Sequence, residues 1–259
     1  MRNLLTLLLA LCLSACASLR PDYPLPSGHR GDRDAGIENS RQSIQHAIDI
    51  GIPYIETDLR YSKDHKLVLY HDHKLHHALI PVSDVPENTA IADVPFATLR
   101  SVEIPNGGGI LLDFDDVLDM LATSHAQLQT DLKGESIPLA KEVAETVRAH
   151  HMQKHILMQC QEVETAKFLR ANYPDISILA ISHEPETLVP FLELHPEVMQ
   201  IEDKAATPEV VAQIKKNGAK ILMKAVDTMY DNPRGWRHLR NLGADIVLTD
   251  HPQALERVY

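Results

Sequence analysis

From residue 27 onward, short β-rich runs alternate with stretches whose apolar positions recur at helical spacing. Candidate strands cover 54–59, 127–132, 156–160, 176–181, 198–202, 221–226 and 246–249, and a weaker first strand runs into His29. Amphipathic stretches lie between them, near 39–50, 114–124, 138–151, 162–172, 185–194, 208–217 and 233–242. Ala140, Val143, Ala144 and Val147 show the i, i+3, i+4, i+7 spacing of one buried helical face. Gly51, Gly218 and Gly243 follow helical runs, where a left-handed C-terminal cap belongs.

Eight strand candidates alternating with helices predict a parallel sheet with right-handed crossovers. At 259 residues the natural closure is a TIM (β/α)8 barrel, although a doubly wound open sheet gives much the same periodicity. GHRGDRDAG after the first strand lacks the spacing of a dinucleotide fingerprint. The alternation breaks over about 60–112, read as an insertion after the second strand. There Leu67 to His71 looks like an extra strand, and the remainder, rich in Pro and Gly, reads mostly as loop. In a barrel enzyme such an insertion lies over the active-site face.

Composition narrows this picture. With 44% hydrophobic but only 5% aromatic residues, aliphatic side chains must build the core, and one large domain over 27–259 fits better than two. A formal net charge of -11 argues against nucleic acid as a partner, since phosphate-backbone binding needs a basic footprint. A phosphate-containing small molecule stays open, because a local cation can hold it.

The chain begins with Arg2 and an apolar run over 4–13, too short for a membrane span and suited to a signal-peptide core. It ends in Leu13-Ser14-Ala15-Cys16, which resembles the bacterial lipobox. That resemblance implies a signal peptide over 1–15, cleavage before Cys16 and lipid on its sulfur. It places the protein in the bacterial cell envelope, with Ala17 leaning toward the outer membrane, facing the periplasm. Residues 16–26 then read as a tether. Cys160 is the cysteine left over, so no disulfide framework is expected, and its apolar run makes it a core residue rather than a nucleophile.

The candidate chemistry sits at strand ends. Glu56 and Asp58 are two apart on a predicted strand and share one face; Asp131 and Lys133 repeat the arrangement. Carboxylates converging on a barrel mouth repel one another, and a divalent cation with a taste for hard oxygens, Ca or Mg, resolves this. Local pairing with Arg60 or Lys133 would also neutralise them. His29 and His71, at the ends of apolar runs, are suited to acid and base work near neutral pH, and Arg30 offers bidentate donors to a phosphate. His65, His71, His73, His76 and His77 form a dense stretch, read as a polar loop rather than a transition-metal site.

The order of these groups resembles the glycerophosphodiester phosphodiesterase family. The matching elements are His29-Arg30-Gly31, Glu38-Asn39-Ser40, Glu56-Thr57-Asp58, Lys63-Asp64, His71-Asp72, Asp131-Leu132-Lys133 and Gly243-Ala244-Asp245 to Thr249-Asp250-His251-Pro252. The resemblance implies a metal held by Glu56, Asp58 and Asp131, His29 and His71 as the acid/base pair, and Arg30 and Lys133 near the phosphate. It implies hydrolysis of a glycerophosphodiester or lysophospholipid to an alcohol and a glycerol phosphate. The chain departs from the family at Ile37, Ser40, Asp131 (for glutamate), His77 and Met223 to Asp227, where recognition elements usually lie. Two alternatives stand beside this reading. One is a non-catalytic envelope lipoprotein that binds headgroups. The other is a phospholipase D or C, for which Leu75, Leu79 and Ile80 would supply an apolar rim.

Overall fold

The computed structural model describes residues 23–258. Eight parallel strands close on themselves: β1 (Leu25–Gly28), β2 (Tyr54–Tyr61), β6 (Gln127–Leu132), β7 (Ile156–Cys160), β8 (Ser177–Ile181), β9 (Val198–Gln200), β10 (Lys220–Lys224) and β11 (Ile246–Thr249). Closure is made by β1, which pairs with β11 on one side and β2 on the other. The barrel is therefore the realised alternative, and the open doubly wound sheet is not.

Period-two alternation gives each strand one side chain inside and the next outside. Tyr54, Leu157, Leu179, Val198, Leu222 and Ile246 point inward and pack as a compact apolar plug. Their neighbours Ile55, Leu128, Met158, Ala180, Met199, Met223 and Val247 point outward into the larger core beneath the helices. Further along β2, β6, β7, β9 and β10 the inward positions turn polar: Glu56, Asp58, Asp131, Gln159, Gln200 and Lys224 line the mouth at the C-terminal ends, with Ile181 of β8 and Leu248 of β11 beside them. Each fully buried Leu or Ile contributes roughly 1.5–3 kcal/mol, and the larger outer core holds most of them.

The outer helices are α1 (Arg41–Asp49), α2 (Phe96–Leu99), α3 (Phe114–Leu121), α4 (Ile137–Ala149), α5 (Val163–Asn172), α6 (Pro185–Leu192), α7 (Pro208–Asn217), α8 (Pro233–Leu242) and α9 (Pro252–Val258). Their starts are written locally: Ser40, Asp113, Ser136, Thr207 and Asn232 each accept a first-turn backbone N–H. Gly218 and Gly243 end α7 and α8 in the left-handed conformation. Among the described residues no helix is long and apolar enough to cross a membrane.

Two expectations need adjusting. Residues 23–26, read as the end of a tether, belong to the barrel. Tyr23 packs into the outer core with Arg237 donating to its hydroxyl, and β1 begins at Leu25. The insertion also holds more structure than a loop. Beyond β3 (Leu67–Leu69), antiparallel to β2, it contains α2 and a two-stranded ribbon, β4 (Glu103–Ile104) with β5 (Gly109–Ile110). It has its own small core of Val68, Tyr70, Leu75, Ile80, Val82, Ile91, Val94, Leu99 and Leu111. Leu75 is 0% and Ile80 1% exposed, so they form this core and not an apolar rim; Leu79 packs against it. Cys16 lies outside the described residues.

Candidate active site

The turn after β1 sets the geometry of the mouth. Arg30 has φ 58° and Gly31 φ 95°, both in the left-handed region. The chain is so tight here that a Cβ on Gly31 would lie 2.6 Å from Ser43 Oγ. Arg30 is held in this costly conformation from two directions. Its N–H donates to Glu56 Oε2 at 2.9 Å, and its carbonyl accepts from Asn39 N at 2.9 Å and Ser43 Oγ at 3.2 Å. The conformation turns the guanidinium back over the barrel, between Glu38 (2.8 Å) and Asp58 (3.2 Å).

Glu56 and Asp58, 3% and 1% exposed, point into the mouth from β2, and Asp131 stands in register with Asp58 on β6. Oxygens of the three carboxylates lie within 4.8 Å of one another, and among the described residues they form the one such convergence. Asp58 exchanges hydrogen bonds with Asn39, accepting from Nδ2 at 2.7 Å while its own N–H donates to Asn39 Oδ1 at 3.2 Å. Lys133 Nζ sits 2.9 Å from Asp58 and 2.5 Å from Asp131. Arg60 takes no part in this pairing and donates instead to the carbonyl of His71.

Burial pushes the Glu56 carboxyl well above its ordinary range, and the charges of Asp58 and Asp131 push it the same way. For Asp58 burial acts upward too, but Lys133 and Arg30 outweigh it and hold the group ionised below its usual value. The triad thus sets three carboxylates against two cations, Arg30 and Lys133, and the mutual repulsion falls on Glu56. Asp131 Oδ1 is buried with no hydrogen-bond partner, an acceptor with nothing to accept from. An oxygen cluster of this kind fits a hard divalent cation.

The two histidines are arranged alike. His29, buried, has Nδ1 2.7 Å from Asp250 Oδ1; His71 has Nδ1 2.8 Å from Asp72 Oδ1. Because a carboxylate only accepts, both rings carry hydrogen on Nδ1; Nε2 of each is left without a protein partner among the described residues, and both residues line the pocket. Asp250 is gripped in turn by Arg33, which donates to both its oxygens at 2.9 Å. Burial raises the Asp250 carboxyl, but the bond from His29 and the charge of Arg33 prevail and lower it to about 2. Asp72 carries a second histidine, His76, 3.1 Å from its other oxygen. Within the histidine-dense stretch His76 and His77 also face Glu87, at 3.5 and 3.1 Å, while His65 lies edge-on to the Tyr61 ring.

These groups share one open pocket of about 590 Å³, lined by His29, Arg30, Glu56, Asp58, His71, Asp131 and Lys133 on one side and by the tips of β7 to β11 on the other. All seven positions singled out in the sequence therefore meet in one place. Asp250, Glu38 and Arg33 complete the site without a role legible in the sequence, although Asp250 and Glu38 stand in the family-like elements Thr249-Asp250-His251-Pro252 and Glu38-Asn39-Ser40. Cys160 is fully buried in the outer core, where burial pushes its thiol well up.

The chain is similar to known proteins in sequence and in fold. A family model described as the glycerophosphoryl diester phosphodiesterase family matches residues 29–254. Lysophospholipase D GDPD1 from mouse (Mus musculus) is 24% identical over 270 residues, covering 88% of this chain and 83% of that protein. Among solved structures, a glycerophosphodiester phosphodiesterase from Parabacteroides distasonis superposes with TM-score 0.77 at 19% identity, covering 92% of this chain and 98% of that one. An Oleispira antarctica phosphodiesterase, solved with the product sn-glycerol-3-phosphate, has TM-score 0.77 at 20% identity, covering 91% and 96%. At such identities the structural likeness carries the fold.

Proposed function

The chain belongs to the glycerophosphoryl diester phosphodiesterase family, and from that premise we propose that it hydrolyses glycerophosphodiesters to an alcohol and a glycerol phosphate by two-histidine acid/base chemistry. The observation that carries this is the pair of matching dyads. His29–Asp250 and His71–Asp72 each tie Nδ1 to a carboxylate and leave Nε2 free, beside a pocket that also holds Arg30 and Lys133. Between them the two rings can take a proton from the attacking oxygen and return one to the leaving alkoxide. Arg30 and Lys133 supply charge-assisted donors where negative charge grows on the phosphoryl oxygens.

Glu56, Asp58 and Asp131 would hold one divalent cation, Ca or Mg by the hardness of the donor set. When bound, such an ion supplies further neutralisation of the phosphate and polarises a phosphoryl oxygen. The mouse relative's name brings lysophospholipids into view as substrates. Here Leu75 and Ile80 are turned inward, so the observations favour diesters whose acyl chains are gone. We also infer lipid attachment at Cys16 and a periplasm-facing outer-membrane location, supported by Leu13-Ser14-Ala15-Cys16. Loss of acyl labelling in a Cys16→Ser chain tests that point.

Purified protein incubated with a panel of glycerophosphodiesters should release glycerol phosphate, and chelator or His71→Ala should abolish the release. Undiminished turnover in either sample would sink the mechanism.

A further inference from the structure

The half of the pocket opposite the triad has a distinct character. From β7 to β10 it presents Gln159, Gln161, Ile181, His183, Gln200 and Lys224. Gln159 is only 6% exposed, yet nothing among the described residues hydrogen-bonds its side-chain amide, which faces the pocket. An amide that opens onto a pocket and has no protein partner keeps its donors and its acceptor available to a ligand. Lys224 brings a positive charge to the same wall. Its partner Asp227, 3.1 Å away, is 73% exposed, and exposed pairs of this kind hold weakly.

What the wall lacks is equally informative. No Phe, Tyr or Trp lines this pocket among the described residues, and its lining carboxylates are Glu56, Asp58 and Asp131, committed to the opposite side. Quaternary ammonium groups are bound by aromatic faces or by free carboxylates. Here a trimethylammonium group would find no aromatic face, and the carboxylate beside this wall, Asp227, already faces Lys224. Amides, by contrast, both donate and accept, which is what hydroxyls require.

We propose that this wall is the subsite for the part of the diester beyond the phosphate. It selects a hydroxyl-rich alcohol, neutral or anionic, over a quaternary ammonium one. The inference rests on the phosphodiesterase reading and adds a substrate class to it. Gln159 and Gln200 read hydroxyls, and Lys224 sets the sign of the charge tolerated.

The test is kcat/KM for glycerophosphoglycerol and for glycerophosphocholine on the same protein preparation, with calorimetric binding of both in parallel. A preference of at least tenfold for glycerophosphoglycerol is expected. Lys224→Glu should shift the ratio toward choline by at least tenfold, and Gln159→Leu should lower it through the glycerol arm. Because each is a ratio within one preparation, a misfolded fraction cancels. Equal or better use of glycerophosphocholine, or an unchanged ratio in both variants, would overturn the assignment. If no diester turns over, the phosphodiesterase reading fails by itself, and calorimetry then decides the subsite. Tighter glycerophosphoglycerol binding supports it, and equal or tighter choline binding overturns it.

Discussion

His29 Nδ1 and Asp250 Oδ1 lie 2.7 Å apart although 221 residues separate them in the chain. The bond spans the seam where the first and last strands of the barrel meet, so closing the barrel and orienting one histidine are a single event. Folding thereby sets the protonation pattern of the site.

Asp250→Asn should cost turnover rather than binding. An amide at this position can donate to Nδ1 and turn the imidazole to the wrong tautomer. Steady-state kinetics should show kcat down by about 10- to 100-fold with KM little changed, the scale of losing an orienting carboxylate. A kcat within a factor of two of the parent would remove Asp250 from the mechanism.

The same carboxyl predicts an acid-stability signature. Its folded value of about 2 lies below the ordinary range near 3.9, so its contribution is fully present above about pH 4 and is lost as pH falls toward 2. The side chain is 26% exposed, and about 2.5 kcal/mol is the upper bound. Urea unfolding across pH 2–5 should show a stability difference between the parent and the Asp250→Asn variant that closes toward the acid end. A difference constant with pH would contradict the linkage.

Divalent cations should stabilise the protein as well as activate it, because a ligand that binds only the folded triad adds to stability by mass action. Mg²⁺ or Ca²⁺ at saturating concentration should raise the melting temperature of chelator-treated protein, and Asp58→Asn should erase the rise. An identical melting curve with and without cation would count against the site.

Gly31→Ala tests the tight turn. The substitution meets φ 95° and a 2.6 Å approach to Ser43 Oγ, so a loss of roughly 2 kcal/mol or more is expected, with activity falling as Arg30 shifts. Denaturant titration measures the first and phosphate release the second. Parent-like behaviour in both would mean the turn is not constrained as described.

Cys160 should be silent to thiol reagents until the protein unfolds. It is fully buried and its thiol is pushed well up, so the reactive thiolate is both inaccessible and disfavoured. Labelling should track the unfolding transition, and rapid labelling of native protein would place the residue elsewhere.

Much of this architecture is legible in the residues themselves, and the reasons are local. Glu56-Thr57-Asp58 shows its shared face by period two, and Leu67–Leu69 shows itself as an apolar run after a turn. Barrel closure is not separable from an open sheet on pattern alone, because it depends on β1, four residues including Pro26, which carry little strand signal. The ribbon of Glu103–Ile104 with Gly109–Ile110 is too short for any period to register. Leu75 and Ile80 are legible as apolar, but which neighbours they cover is a tertiary matter. Asp250 and Arg33 escape for the same reason: their role lies in contacts that cross the whole sequence.

The two-tone interior of the barrel bears on how such a protein diverges. Its plug of Tyr54, Leu157, Leu179, Val198, Leu222 and Ile246 sits at one end, and the residues that meet a substrate sit at the other. Exchanges at Gln159, Gln200 or Lys224 leave that plug intact. New headgroup preferences are therefore within reach of single mutations, without a compensating change in the scaffold.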